Sequence, residues 1–202
     1  MRATYDITKR HILDAGQQII AVKGFAGVGL SEILSAADIP KGSFYHYFGS
    51  KEQYGCALLE QYFDEYLDKL KQILHDPLDA SNTAQSARSR LLQYWGGWVE
   101  SQSSHDLKGR CMVVKLGAEV ADLSDDMRIA LCKGTKRLMT QLAICIAEGI
   151  TDGSLDSQLD PEKTAEMLYQ MWLGASLLAK LQRDRRPLEN AMETTIKVLK
   201  QG

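Results

Sequence analysis

The spacing of apolar residues constrains the fold most, because it follows the α-helical period along almost the whole chain. In the first predicted helix, residues 8–22, the side chains of Ile12 and Ile19 share one face. A run of β-branched residues is hinted at only by residues 113–114. The pattern therefore predicts an all-α protein. Three of the four prolines stand where a helix would begin, a position that proline tolerates: Pro40, Pro161 and Pro187.

The predicted helices have recognisable capping residues at several ends. Gly24 is suited to end the first helix, and Ser50 opens a capping-box pattern. Ser124 and Asp160 are suited to begin two later helices. The polar segment 75–83 is predicted to be a loop close to a domain boundary. The predicted helices cover residues 8–22, 30–37, 41–48, 50–74, 84–101, 110–121, 125–149, 161–183 and 188–200.

Composition narrows the class of protein. The net charge of −2 and the pI of about 6.1 argue against a chain that coats nucleic acid, but allow a local basic patch. No apolar run is long enough to span a membrane, and the N-terminus lacks the apolar centre of a signal peptide, so we expect a cytoplasmic protein. The four cysteines form no CxxC pair, so we expect reduced thiols, no metal site and no cofactor. No catalytic motif appears, and we do not expect an enzyme.

The segment 40–51 is the most informative stretch of the chain. It contains two lysines and a histidine and no acidic residue. Phe44 and Phe48, four residues apart, share a helical face that can anchor the segment. From periodicity alone, an aromatic helix of another all-α protein is the commoner explanation, because aromatic residues at helical spacing more often belong to a core. Two short helices joined by a three-residue turn are also how a helix-turn-helix enters the DNA major groove. The predicted DNA-binding residues are Lys41, Gly42, Ser43, Tyr45, His46, Tyr47 and Lys51.

This stretch resembles the signature of the tetracycline-repressor (TetR) family in the letters KGSFYHYF, followed after one residue by SK. The resemblance implies a homodimeric repressor on a palindromic DNA operator. It assigns residues 1–50 to a three-helix, helix-turn-helix DNA-binding domain and residues 51–202 to a helical effector-binding and dimerisation domain. The chain departs from the family at residues 28–29 and at Pro40, where the usual hydroxyl side chains are missing. These departures put individual caps and phosphate contacts in question.

A second resemblance concerns the C-terminal part of the chain. Residues 110–128 and 172–191 are similar to the sensor region of electrophile-responsive repressors of this family. The similarity implies that Cys111 is a sensor thiol for a small electrophile or oxidant. Lys180, a basic residue on an otherwise apolar helical stretch, is a candidate neighbour that stabilises its thiolate, although a lysine at an exposed helical position is commoner. Arg110 stands where a glycine is usual, which could change how that thiol is exposed.

The surroundings of Cys111 in the sequence favour the same residue. Lys108, Arg110 and Lys115 lie within four positions of it, and a helix start is predicted nearby. Cations and a helix N-terminus both stabilise a thiolate, so we expect a lowered thiol pKa at Cys111. A small buried hydrophobe remains the ordinary role of a single cysteine. Cys132, beside two lysines, ranks second, whereas Cys56 and Cys145 are expected to be inert.

Two further features of the C-terminal part remain open to more than one interpretation. Trp95, Trp98, Met112 and Trp172 are predicted to line an apolar ligand pocket, but they fit a plain core equally well. Helices 161–183 and 188–200 are predicted to form the dimer interface, because small residues from Gly174 onwards allow close approach. The alternatives to a thiol switch are a regulator that binds an apolar ligand reversibly, and an activator.

Overall fold

The described part of the chain folds into α-helices, and the prediction of an all-α fold is confirmed. The computed structural model describes residues 2–75, 85–103 and 111–200, and these residues form nine helices and no strand. The helices are α1 Arg2–Lys23, α2 Leu30–Ala37, α3 Lys41–Phe48, α4 Lys51–His75, α5 Ala87–Ser103, α6 Met112–Leu123, α7 Asp125–Thr151, α8 Pro161–Gln182 and α9 Arg186–Val198.

The capping signals in the sequence place most of these helix ends. Gly24 follows α1 with φ +84°, a left-handed conformation that costs glycine little. The Ser50 hydroxyl accepts a hydrogen bond from the Gln53 N–H at 3.1 Å, and Asp160 accepts one from the Lys163 N–H, also at 3.1 Å. The first helix begins at Arg2 rather than at residue 8, because nothing in the preceding residues breaks the helix.

The first of two compact units comprises Met1–Asp64 and Arg110–Gly134. It therefore contains α1 to α3, the N-terminal part of α4, α6 and the start of α7. Gly134 has no side chain, and this leaves room for the Phe63 ring, since a Cβ at Gly134 would lie 2.0 Å from that ring. The largest side chains of its core, each at most 1% exposed, are Ile12, Ile20, Phe25, Ile33, Phe44, Tyr54, Leu58, Leu59 and Phe63.

The second unit comprises Glu65–Gly109 and Thr135–Gly202, and an aromatic cluster forms part of its core. The Trp95 and Trp172 rings are stacked with centroids 4.9 Å apart. The indole N–H of Trp98 donates to Ser176 Oγ at 2.9 Å. The indole N–H of Trp172 donates to Thr195 Oγ1, also at 2.9 Å. These bonds satisfy polar atoms that would otherwise be buried without a partner.

The packing units do not coincide with the sequence division at residue 50. The unit that holds α1 to α3 also includes residues up to Asp64 and the segment Arg110–Gly134. The division into 1–50 and 51–202 was a prediction about function, which packing does not test, and it stays a prediction. Most of the predicted loop 75–83 lies outside the described residues. None of the helices that the structure describes is both long enough and apolar enough to cross a membrane.

Candidate DNA-binding surface and sensor region

The recognition helix α3 is held by two buried aromatic side chains. Phe44 and Phe48 are 0% and 4% exposed, and their ring centroids lie 5.2 Å apart. Phe44 also packs on the Tyr54 ring of α4 at 5.4 Å. Asp38 turns the chain between α2 and α3 in a left-handed conformation, and Pro40 is the N-cap of α3. The predicted anchoring role of the two phenylalanines is therefore confirmed.

Most of the predicted DNA-binding residues lie on the remaining faces of α3. Lys41, Gly42, Tyr45 and His46 are exposed, and Ser43 and Tyr47 are half-buried. A Cβ at Gly42 would meet no atom within 4 Å, so the helix start is open to an approaching backbone. Lys41 Nζ lies 5.9 Å from the Tyr45 ring centroid. The arrangement offers cationic, hydroxyl and imidazole groups, which bind phosphates and base edges. Their contacts with DNA stay a prediction.

The Lys51 side chain makes contacts inside the protein that the sequence did not predict. Its ammonium donates to the carbonyl oxygen of Phe25 at 2.9 Å and lies 4.6 Å from the centroid of the Phe25 ring. The side chain therefore ties the start of α4 to the loop between α1 and α2. A substitution at Lys51 would disturb this loop as well as any phosphate contact.

Tyr5 is a residue at this surface that the sequence analysis missed. Its ring centroid lies 4.6 Å from that of Tyr47 and 5.8 Å from that of His46. The predicted first helix begins at residue 8, so Tyr5 lies outside it. The available signal was its spacing, because Tyr5, Lys9 and Ile12 follow an i, i+4, i+7 pattern on one face. The first turn of α1 therefore borders the recognition helix.

The departure at residues 28–29 is compensated by a carboxylate. Gly29 is the N-cap of α2 and has no hydroxyl, but its backbone N–H donates to Glu32 Oε1 at 3.1 Å. Lys23 forms an ion pair with the same carboxylate. The hydrogen bond from Lys23, followed by that from Gly29, lowers the pKa of Glu32. Val28 fills the core with 0% exposure where family members usually have a polar residue.

Cys111 is the N-cap residue of α6 and is only 6% exposed. Burial raises the pKa of its thiol, while polar interactions with the Val114 and Val113 N–H groups and with the Tyr62 hydroxyl oppose that shift. The same hydroxyl accepts the Met112 N–H at 3.2 Å. The helix therefore begins at Met112, within two residues of the start predicted at residue 110.

The expectation of a lowered thiol pKa at Cys111 is wrong. Two of the three cations on which it rested, Lys108 and Arg110, lie outside the described residues. The third, Lys115, donates its ammonium to the Val22 carbonyl oxygen at 2.8 Å. Desolvation is the largest influence on the thiol, and closeness in sequence gives no measure of it.

The other cysteines differ in exposure. Cys145 is fully buried, its thiol lies 3.5 Å from the Leu74 carbonyl oxygen, and burial raises its pKa to about 12. Burial, followed by the charge of Asp126, raises the pKa of Cys56. Burial raises the thiol pKa at Cys111 as well, so the pKa does not separate Cys111 from these two thiols, and their inertness stays a prediction. Cys132 is exposed.

The remaining predicted site residues are spread over both units. Lys180 is exposed on α8 in the second unit, whereas Cys111 belongs to the first. Trp95, Trp98 and Trp172 pack together in the second unit, whereas Met112 is buried in the core of the first. The pairing of Lys180 with the thiol and the ligand pocket stay predictions.

The short helix α2 is followed by α3, which exposes hydrogen-bonding side chains. This arrangement defines a helix-turn-helix DNA-binding regulator, and the rest of the described chain is also helical. The comparisons with known families agree with this class. Residues 12–53 match the family described as "Bacterial regulatory proteins, tetR family". Residues 87–195 match the "Tetracyclin repressor-like, C-terminal domain". The chain belongs to the TetR family.

Similar proteins of this family are transcriptional regulators. The chain is 40% identical to the HTH-type transcriptional repressor NemR of Escherichia coli over 185 residues, which is 92% of this chain and 90% of the relative. It is 35% identical to the transcriptional regulator AcuR of Cereibacter sphaeroides, over 93% of this chain and 83% of the relative. The crystal structure of E. coli NemR in its reduced form superposes with a TM-score of 0.88 at 39% identity, covering 96% of this chain and 98% of that one. This chain is therefore a DNA-binding transcriptional repressor.

Proposed function

We propose that this repressor releases a palindromic operator when a small electrophile or oxidant modifies Cys111. The observation that carries the proposal is the position of that thiol as the N-cap of α6, inside the same compact unit as the helix-turn-helix. Leu116 and Val120 of α6 are both 0% exposed and belong to the same hydrophobic cluster as Phe44 of the recognition helix. A change at the start of α6 therefore acts on a core that the DNA-binding helices share.

The chemistry at Cys111 needs no cofactor. With an enone or a quinone, the sulfur adds to the β-carbon, a C–S bond forms, the C=C electron pair moves toward the carbonyl, and the thiol proton ends on the adduct. With hypochlorous acid, the sulfur takes up oxygen to give a sulfenic acid, and chloride and a proton are released. Either product is bulkier or more polar than a thiol. Because Cys111 is almost fully buried, the first turn of α6 must move to accommodate it.

The DNA side of the proposal needs two copies of the chain. Several large apolar side chains of α8 and α9 are exposed, namely Met167, Leu177, Leu178, Leu181 and Ile196. Gly174 lies among them on α8, and a Cβ there would meet no atom within 4 Å. Two-fold pairing through this surface would set two recognition helices about 34 Å apart or at a multiple of that spacing, which matches a palindrome.

Two of the small residues expected at that interface serve the core instead. Ala175 and Ser176 are 8% and 3% exposed, and the Ser176 hydroxyl donates to the Trp172 carbonyl oxygen at 2.7 Å. Gly174, which is exposed, and Ala179, which is half-buried, are the members of this group that stay available to the dimer surface. We further propose that the chain acts in the cytoplasm and that, like the transcriptional regulators to which it is similar, it works by binding DNA and not as an enzyme.

The experiment combines thiol mapping with operator binding. Purified protein is treated with benzoquinone, the modified cysteine is located by mass spectrometry, and the Kd for a duplex selected from a randomised library is measured. Cys111→Ser should bind DNA normally and keep its affinity after treatment. Cys132→Ser is the matched control, because it removes an exposed thiol and should respond like the wild type. A Cys111→Ser variant that still releases DNA after treatment would refute the proposal.

A reversible apolar ligand is the second candidate, and one observation favours it. The indole N–H of Trp95 is buried in the aromatic cluster, and no acceptor among the described residues bonds to it. An apolar ligand with one acceptor atom would satisfy this donor. This candidate predicts release of DNA by a compound that leaves every thiol unmodified.

A further inference from the structure

The loop between α1 and α2 is bound by a side chain that is distant in sequence. Glu119 of α6 accepts the backbone N–H of Ala26 with Oε1 at 2.5 Å and the N–H of Phe25 with Oε2 at 3.4 Å. One turn earlier on the same helix, Lys115 Nζ donates to the Val22 carbonyl oxygen at 2.8 Å. Helix α6 therefore contacts both the last turn of α1 and the residues that follow it.

The contact from Lys115 satisfies a carbonyl that the end of a helix leaves unpaired, and the contacts of Glu119 satisfy two N–H groups of the loop that follows. The Val22 carbonyl belongs to the last turn of α1, and the N–H groups of Phe25 and Ala26 lie beyond it. Gly24 makes the approach possible, because a Cβ there would lie 2.8 Å from Glu119 Oε2. Its φ of +84° also strains any other residue at this position. The absence of a side chain at Gly24 therefore leaves the space that the Glu119 carboxylate occupies.

The far side of the loop is fixed to the DNA-binding helices. Phe25 and Val28 are 1% and 0% exposed in the core of the first unit. The carbonyl oxygen of Phe25 accepts the ammonium of Lys51, which begins α4. Gly29 then opens α2, the first helix of the helix-turn-helix. A contact at Phe25 and Ala26 thus acts on the position from which α2 starts.

We infer that Glu119 is a positioning residue, which holds the helix-turn-helix in its DNA-binding placement and is the contact that a displaced α6 breaks. The second half of this inference rests on the proposed function, because it takes a modified Cys111 as the cause of the displacement. Both residues belong to the same helix: Cys111 is the N-cap of α6, and Glu119 lies about two turns further along it. Glu119 therefore ties the sensing helix directly to the loop that precedes α2.

The first test uses the unmodified, DNA-free protein and does not depend on any effector. Amide hydrogen exchange is measured residue by residue in the wild type, Glu119→Gln, Glu119→Ala and Asp122→Ala. Asp122 is the matched control, an exposed acidic residue on the same helix. In Glu119→Ala, the Phe25 and Ala26 amides should exchange about 10-fold faster or more, since each loses a bond to a carboxylate. Glu119→Gln keeps one acceptor oxygen and should give an intermediate rate.

The second test measures operator affinity before and after benzoquinone. Untreated Glu119→Ala should bind DNA more weakly than wild type by a factor of about 5 or more, and benzoquinone should then change its Kd far less than that of wild type. Unchanged exchange at Phe25 and Ala26, or an untreated affinity equal to that of Asp122→Ala, would overturn the inference. If wild type ignores benzoquinone while the exchange and untreated-affinity results hold, the thiol switch fails and the positioning role of Glu119 stands.

Discussion

Replacing Tyr5 with alanine should weaken the part of the operator affinity that depends on ordered side chains of the recognition helix. The part that depends on charge should stay unchanged. The Tyr5 ring contacts two side chains of α3, with centroid distances of 4.6 Å to Tyr47 and 5.8 Å to His46. Aromatic pairs of this geometry contribute about 0.5–1.5 kcal/mol each. Because Tyr5 is 37% exposed, the lower end applies to both pairs, which gives a total of about 1 kcal/mol, or roughly fivefold in Kd.

The assay is fluorescence anisotropy at fixed salt, with a selected operator duplex and a scrambled duplex of equal length. Tyr5→Ala should weaken operator binding about fivefold and leave scrambled binding unchanged, since phosphate contacts carry the latter. Tyr5→Phe keeps the ring and should bind like the wild type. Ile7→Ala, which shortens a side chain that is 70% exposed on the same helix, is the control. Equal losses on both duplexes, or a Tyr5→Phe variant as weak as Tyr5→Ala, would refute the ordering role.

Three further outcomes test the dimer surface, the aromatic cluster and a helix cap. Leu178→Glu, at an exposed position of α8, should convert the dimer to a monomer in sedimentation experiments at micromolar concentration. In urea unfolding, Trp172→Phe should lower the free energy of unfolding by about 1–3 kcal/mol more than Trp95→Phe does. Of these two residues, only Trp172 donates its buried indole N–H to an acceptor among the described residues. Hydrogen bonding from Lys163 lowers the pKa of Asp160, so this carboxylate stabilises the fold above its ordinary pKa of 3.8 and the contribution disappears as the pH falls below that value. The stability of Asp160→Asn, followed by urea midpoints, should depend less on pH over that range than that of the wild type.

Local rules were sufficient for the two helices of the helix-turn-helix, although they missed the first two turns of α1. The bounds of α2 and α3 agree with the prediction, because Pro40 and the periodicity of Phe44 and Phe48 are signals within a few residues of one another. The contact of Glu119 with Ala26 joins residues 93 positions apart, and no local pattern encodes it. Long-range contacts of this kind depend on how complete helices pack, which spacing alone does not determine.

The sensor region shows a different limit of sequence analysis. Charges near Cys111 in the sequence predicted a lowered thiol pKa, but burial dominates in the structure and raises it. Likewise, the small residues from Gly174 onwards indicate close packing but not the side on which it occurs. Ala175 and Ser176 face their own unit, whereas Gly174 is open. Residue size and charge are local properties, and burial is a property of the whole fold.

The shielding of Cys111 has a kinetic consequence for a repressor that works by thiol modification. A thiol that is 6% exposed reacts only during the fraction of time in which the first turn of α6 is frayed. The rate of thiol modification is then the product of that fraction and the intrinsic reactivity of the exposed sulfur. Under the proposed thiol switch, a low opening frequency would keep the repressor on DNA at a low, constant electrophile concentration and release it only when that concentration rises sharply. Mutations that loosen the first turn of α6, without changing the cysteine, would lower the electrophile concentration at which the repressor releases DNA.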